Sequence, residues 1–236
     1  MAQPPLHIVM PVLNEAAGIA VALQQLQPLL ARGARLVVVD GGSSDGTPDR
    51  LRQFAAQQPG VQCISAPRGR ARQMNAGAQA CADAGGDGPL LFLHADTTLP
   101  PDADALIAAA LAEGRHVWGR FDVSIDGRHW LLPVIAFFMN RRSRASGIAT
   151  GDQALFMSRT AYAAVGGFPE QPLMEDIEFS ARLKRLSPPA CLRARVRTSG
   201  RRWETRGVWR TLLLMWRLRL AYWRGVPAAR LAERYR

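Results

Sequence analysis

"LVVVDGGSSDGT", residues 36–47, sets the reading of the whole chain. An apolar, valine-rich run stops at a single carboxylate, Asp40, and glycines, hydroxyls and a second acid follow at once. Such a run reads as a buried strand, and a buried strand has no packing use for an acid at its tip. The same grammar recurs on either side. "HIVMPV" (7–12) runs into "LNE", "VQCISAP" (61–67) is a further strand, and "GPLLFLHAD" (88–96) again ends in an acid. Between them "EAAGIAVALQQLQPLLARG", the stretch after Pro48, "RGRARQMNAGAQACADAGG" and "LPPDADALIAAALAEG" read as helices. Pro48 suits a first turn, and the acids at 102 and 104 suit the positive end of the helix dipole. This alternation predicts an α/β fold: a single Rossmann-like, mostly parallel sheet with helices on both faces. Ligands of such sheets bind beyond the carboxyl ends of the strands. Three polar clusters fall there: "PVLNE", "DGGSSDG" and "HADT".

Past residue 117 the pattern changes. "VWGRFDVSID" (117–126) alternates like a half-exposed strand, an apolar run covers 130–139, and "MEDIEFSARLKRL" (174–186) reads as an amphipathic helix. With 236 residues, no internal repeat and no low-complexity linker, the chain is expected to form one catalytic domain, 1–205, with an appendage, 206–236. The net charge of +11 sits entirely in the last 44 residues, where 13 arginines face only Glu204 and Glu233. No run approaches the ~20 apolar residues of a membrane span. The N-terminal stretch has no basic start and is interrupted by Pro11, so no secretory leader is expected. Cys63, Cys81 and Cys191 lack paired spacing and are expected as reduced thiols of a cytoplasmic protein.

Three sets of residues can carry chemistry. Asp40, beside two glycines, can accept from a base N–H or ribose hydroxyls, or can serve as a turn-forming acid. Neither the dinucleotide fingerprint nor the P-loop is present. Asp96 follows His94 by two residues, on the same side of an extended segment. A carboxylate there can hold Mg²⁺ or Mn²⁺ against a nucleoside diphosphate leaving group, or can cap the next helix. Glu175 and Asp176 are adjacent acids at a helix start. Their repulsion raises at least one pKa and suits a general base, while first-turn acids also simply complement the helix dipole.

"PVLNE", "VVVDGGSSDGT", "GRARQMNAGA", "LHADT", "GGF" and "MED" together resemble the family 2 glycosyltransferases of GT-A fold, over residues 7 to about 205. Within that family the chain is similar to the small bacterial single-domain subgroup of selenodomain-associated or arsenosugar-type transferases. The resemblance implies a nucleoside diphosphate sugar donor, commonly UDP-linked, and a hydroxyl acceptor that could be lipid-linked. It implies Pro11, Glu15 and Asp40 at the base and ribose, with Arg70, Asn75 and Gly77 beside them. Asp96, with His94, would hold the divalent metal. Asp176 would deprotonate the acceptor with Glu175 beside it, and Asp152, Arg202 and Trp203 would lie near the acceptor or sugar. His94 stands where the family usually has Asp and is the poorer partner for Mg²⁺. Ser199 stands at the glutamine position of the Q-x-x-R-W motif of polysaccharide synthases, which argues for adding a single sugar.

Two rival readings share parts of this pattern. A nucleotidyltransferase of the same fold would need a glycine-rich basic first loop, which "PVLNEAAG" is not. A non-enzymatic binder of nucleic acid or anionic membrane fits the basic tail but leaves the three polar clusters without a purpose, and no nucleic-acid partner is expected. In the tail, Trp-Arg recurs every seven residues at 209–210, 216–217 and 223–224. On a helix this gives a tryptophan stripe with Leu212, Leu213 and Leu220, beside an arginine stripe that begins at Arg206. That face suits either peripheral contact with an anionic membrane at its inner side or packing on the catalytic domain.

Overall fold

The computed structural model describes residues 4–85 and 87–235. Its elements run in the order β1 (His7–Val12), α1 (Ile19–Ala31), β2 (Arg35–Asp40), α2 (Thr47–Gln57), β3 (Val61–Ser65), α3 (Arg70–Asp83), β4 (Leu90–Phe92), β5 (Thr97–Thr98) and α4 (Ala103–Ala112). They continue with β6 (Trp118–Asp126), α5 (Leu131–Ser146), a 3₁₀ turn at Gly151–Gln153, β7 (Leu155–Met157), α6 (Arg159–Ala164), α7 (Glu175–Leu183), β8 (Ala190–Ser199), α8 (Arg201–Arg206), α9 (Val208–Trp223) and α10 (Ala228–Tyr235). The strands form one sheet in the order β3-β2-β1-β4-β7-β6-β8-β5.

The first half is as the alternation predicts. β1 pairs in parallel with β2 on one side and β4 on the other, and β2 with β3. Beyond β4 the sheet becomes mixed: β7 runs antiparallel to both β4 and β6, and β5 antiparallel to β8, whereas β6 and β8 are parallel. Side chains alternate across the sheet and build a core on each face. Ile8, Met10, Leu36 and Val38 pack under α1, α2 and α4. Val9, Val37, Val39 and Phe92 pack under α3, α6 and α7.

Two expectations change here. β4 is only three residues long, and after Leu93 the chain turns over His94–Thr97, where Thr97 N–H donates to the His94 carbonyl, instead of continuing straight to Asp96. β6 is buried almost throughout, not half-exposed. Its polar positions look outward-facing in sequence, yet Arg120 and Asp122 are buried and paired with each other. Asp122 also accepts two bonds from Arg144, each at 2.9 Å. Asn140 of α5 completes the cover, donating to the Val123 carbonyl and accepting from its N–H, both at 2.9 Å.

The tail packs on the domain. α8 spans the expected 205/206 boundary, Val208 joins Ile125, Leu132 and Ile135 in one cluster, and Leu218 and Leu231 join Leu173 and Met174 in another. Among the described residues no helix is long and apolar enough to cross a membrane.

Candidate active site

In the strand order 3-2-1-4 the chain leaves β1 in one direction and returns on its other side at β4. That reversal separates the loops after the two strands and opens a crevice at their carboxyl ends. A cavity of about 480 Å³ lies there, between Pro11–Leu13 after β1 and His94–Asp96 after β4. Its remaining walls include Arg68, Arg70, Gln73, Asp152, Glu175, Arg202, Trp203 and Tyr235. The size falls within the ~300–1,000 Å³ of small-molecule sites.

The rim at β1 and β2 is held by hydrogen bonds between two loops distant in sequence. Asn14, with φ at 55°, donates its N–H to Ser43 Oγ (2.8 Å), and its side-chain oxygen accepts from Ser44 N–H (2.9 Å). Glu15 N–H donates to Thr47 Oγ1 (2.9 Å) and Ala16 N–H to Asp45 (3.1 Å). The side-chain bond to Thr47 is the main reason the Asp45 carboxyl lies below its ordinary range. Asp40 belongs to this scaffold. Its oxygens accept from Gly42 N–H (3.1 Å) and from the N–H and hydroxyl of Ser43, and it does not line the cavity. Of its two readings in sequence, the structure displays the turn-forming one.

Asn75 and Gly77 also lie away from the cavity. Asn75 donates to the Phe168 carbonyl (2.9 Å) and accepts from Phe168 N–H (2.9 Å) and Tyr162 Oη (2.7 Å), which pins the glycine loop ahead of α7. Gly77 lets α3 approach the sheet: a Cβ there would stand 2.4 Å from Val9 Cγ1 and 2.9 Å from Val39 Cγ2. Gln73, one helical turn earlier, does reach the site. It is buried and donates to the carbonyls of Val12 and Val39, each at 2.8 Å, which ties the tips of β1 and β2 together.

The acids in and behind the cavity wall differ in circumstance: Glu15, Asp96, Asp152 and Glu175 line it, whereas Asp176 lies next to Glu175 and does not. Glu175 is buried and meets Arg70 Nη1 at 3.2 Å. Asp176 is partly buried, and its Oδ2 accepts from Gly151 N–H at 2.9 Å. Burial and the neighbouring Glu175 charge push its carboxyl up to about 6, against the opposing effects of the Gly151 bond and Arg70. Burial likewise raises Glu15, opposed by Arg201 and aided by Asp96. Burial would raise Asp152 too, but the His94 hydrogen bond, with the charges of His94, Arg70 and Arg202, holds it below its usual value.

A divalent ion fits this set in one limited way. Among the described residues no three metal-binding side chains converge. His94 Nδ1 contacts Asp152 Oδ1 at 3.2 Å, and its Nε2 packs so closely on Gly151 that a Cβ there would be 2.5 Å away. Asp96 is exposed at the cavity, with only a long 3.4 Å bond from Thr97. One open carboxylate beside a diphosphate site is how Mg²⁺ is commonly held, the substrate supplying the other oxygens. Of the expected His94–Asp96 pair, Asp96 is the more open side chain, and His94 is in contact with Asp152.

Tyr235 escaped the sequence reading. Its ring lies 4.0 Å from the Arg202 guanidinium carbon, its hydroxyl accepts from Arg202, and its carbonyl accepts from Arg206 at 3.0 Å. Nothing in "LAERYR" signals that this tyrosine returns to a cavity built mainly by the first 200 residues.

The family model described as glycosyl transferase family 2 matches residues 7–165. The chain belongs to that family. Among curated proteins, the succinoglycan biosynthesis protein ExoA of Rhizobium meliloti (strain 1021) is 38% identical over 110 residues, 45% of this chain and 33% of ExoA. Solved structures share the fold. The mannosyltransferase PcManGT from Pyrobaculum calidifontis, in complex with GDP-Man and Mn²⁺, matches 83% of this chain and 57% of its own, with a TM-score of 0.62 at 21% identity. S. aureus TarS 1-349 in complex with UDP-GlcNAc matches 83% of this chain and 58% of its own, with a TM-score of 0.65 at 14% identity. The chain thus spans a third of the curated relative and under two thirds of these solved ones. The GT-A fold expected for the family 2 chain is the one observed.

Proposed function

We propose that this family 2 chain transfers a single sugar from a nucleoside diphosphate sugar, UDP-linked in the first instance, to an acceptor hydroxyl. The observation that carries this reading is the pairing of unlike carboxylates around one crevice. Asp96 is open to a donor-borne metal, while Asp176, behind the wall formed by buried Glu175 and its exposed partner Arg70, has its carboxyl pushed up to about 6. Separated protonation behaviour among neighbouring acids is how a site assigns different tasks to similar groups.

In this reading the nucleotide lies along Pro11–Leu13 and Glu15, where Gln73 fixes the strand tips, and Arg68 and Arg70 face its phosphates. Asp96 would hold a divalent metal, which would supply positive charge against the departing diphosphate. Asp176 accepts the proton of the acceptor hydroxyl as its oxygen bonds to the anomeric carbon. The bond from that carbon to the phosphate oxygen breaks, and its electron pair leaves with the nucleoside diphosphate. Glu175 is engaged by Arg70 at 3.2 Å and lies beside the base as its neighbour. Asp152, Arg202 and Trp203 border the acceptor end. The arginine-rich tail, with tryptophans on its outer face, supports peripheral contact with an anionic membrane and an acceptor carried on a lipid.

The test is a donor panel with Mn²⁺ or Mg²⁺, UDP- and GDP-sugars included because related folds have been solved with both nucleotides. The expected outcome is metal-dependent release of the nucleoside diphosphate and thermal stabilisation, ~2.7 kcal/mol at a donor concentration 100 times Kd. Release of pyrophosphate would instead select nucleotidyl transfer. Neither release nor stabilisation with any donor would leave a non-enzymatic binder.

A further inference from the structure

A second, larger hollow opens where the tail folds over the domain. It lies between α8, α9 and α10 and has a volume of about 1030 Å³. Arg202, Arg206, Arg210, Arg217 and Arg234 line it, and among the described residues no carboxylate does. Among the described residues none of the five forms an ion pair. Five like charges around one hollow repel, and self-repulsion of this kind is relieved when an anion enters.

The hollow is not simply a basic surface. Leu214, Leu218, Ala221 and Leu231 also line it, with Leu218 and Leu231 in the cluster that anchors the tail. It adjoins the catalytic cavity, with the stacked Arg202 and Tyr235 side chains lining both. At its outer rim Leu213 lines the hollow while lying 61% exposed, on the same helical face as Trp209 and Trp216. An arginine rim, an apolar lining, a wall shared with the catalytic cavity and an indole-bearing outer edge are combined in one place.

We propose that this groove is the acceptor site for a phosphate-bearing lipid. The long chain lies on the apolar lining, the phosphate sits among the arginines, and a hydroxyl-bearing head passes Arg202 and Tyr235 toward Asp176. This rests on the transferase reading and specifies its acceptor class. A single-stranded nucleic acid would also meet the arginines, but it needs aromatic platforms on which bases stack. The only aromatic residue in the lining, Tyr235, already stacks on Arg202, and the tryptophans of α9 are absent from that lining.

The experiment is calorimetric titration of the full chain with dodecyl phosphate below its micellar concentration. Dodecyl maltoside, inorganic phosphate and a short single-stranded RNA run alongside, each with wild type and with an R210E/R217E variant. Neither arginine lines the catalytic cavity. Dodecyl phosphate should bind wild type tightest of the four and lose at least about tenfold in the variant, two charge-assisted contacts being removed. UDP or GDP affinity, measured in parallel, should not change. Equal dodecyl phosphate affinity in the two proteins would overturn the proposal, as would inorganic phosphate binding as tightly as the lipid or RNA binding more tightly. Loss of nucleotide affinity in the variant would reassign the groove to the donor's diphosphate. Because these readouts are binding and not turnover, failure of the groove is distinguishable from failure of the transferase reading.

Discussion

Adjacent residues Glu175 and Asp176 share a helix start and differ in what surrounds them. Arg70 neutralises the first, and burial raises the second to about 6. Asp176→Asn should therefore lower kcat by roughly 10²–10⁴ and leave nucleotide affinity nearly unchanged, since the asparagine oxygen can still accept from Gly151 N–H. Wild-type turnover should rise as pH passes through about 6. The stability effect has the opposite sense. A carboxyl whose folded pKa exceeds its unfolded value of 3.8 adds stability below that value and loses it as pH climbs through about 6. Asp176→Asn should then be more stable than wild type near pH 8, by about 1–2 kcal/mol, and the gap should close near pH 4. Denaturant titrations at both pH values decide it; a variant less stable at pH 8 would place the carboxylate in a favourable anionic contact instead. Asp96→Ala carries a different expectation. Its side chain has little packing to lose, so the melting curve should stay put while Mn²⁺ no longer improves UDP or GDP binding. Unchanged metal-assisted affinity would remove Asp96 from the metal site. The part of the cavity wall at the tips of β1 and β4 was legible in sequence because polar residues at strand tips have few structural uses. Gln73 was not, since a glutamine inside a helix looks like ordinary surface. Nor was the diversion of His94, which depends on Asp152, 58 residues away.

At the scale of elements, Gly77 separates packing from binding. The sequence places it in a motif beside the nucleotide, whereas the structure places it under α3 against Val9 and Val39. Gly77→Ala should force the helix off the sheet and cost about 1–3 kcal/mol, read as a lowered denaturation midpoint with unchanged slope. Donor affinity of the molecules that remain folded should hold; a tenfold loss without a stability change would return Gly77 to the nucleotide. The elements that sequence read well, β1 to α3 and then α4, are those whose pattern is clearest. An apolar run bounded by glycine and acid can only be a buried strand, and helical periodicity between such runs can only cover the sheet. β6 failed because alternation reports polarity and not exposure. Arg120 and Asp122 stand at the polar positions of its pattern, and a mutual ion pair lets both be buried. No periodicity distinguishes that arrangement from a solvated face.

At the scale of the whole molecule, the charge imbalance and the exposed aromatics lie in the same region. Residues 1–192 are balanced, and the tail supplies all +11. The seven-residue Trp-Arg repeat predicted one stripe, and in α9 Trp209, Trp216 and Trp223 do point outward, the last 84% exposed, together with Leu213 and Leu220. Leu212 is the exception, turned in toward the cluster formed with α5. The packing face of α9 is instead Val208, Thr211 and Leu218, so the helix both packs on the domain and leaves its indoles uncovered. α5, which shares that cluster, exposes Trp130, Val134, Phe137 and Phe138. Indoles on one stripe and arginines on the next match the depth order of a headgroup layer, with the rings at the apolar boundary and the guanidinium groups at phosphate. Each arginine near an anionic surface should contribute ~1 kcal/mol. The chain should therefore co-sediment with phosphatidylglycerol vesicles at low salt, bind phosphatidylcholine vesicles far less, and be released as added salt shortens the screening length. Trp216→Glu with Trp223→Glu should weaken the association at every salt concentration, because it removes the apolar contribution as well as adding repulsion, while leaving the melting temperature unchanged. A wild-type chain that stays in the supernatant with anionic vesicles at low salt would confine this face to packing and point to an acceptor that reaches the enzyme from solution.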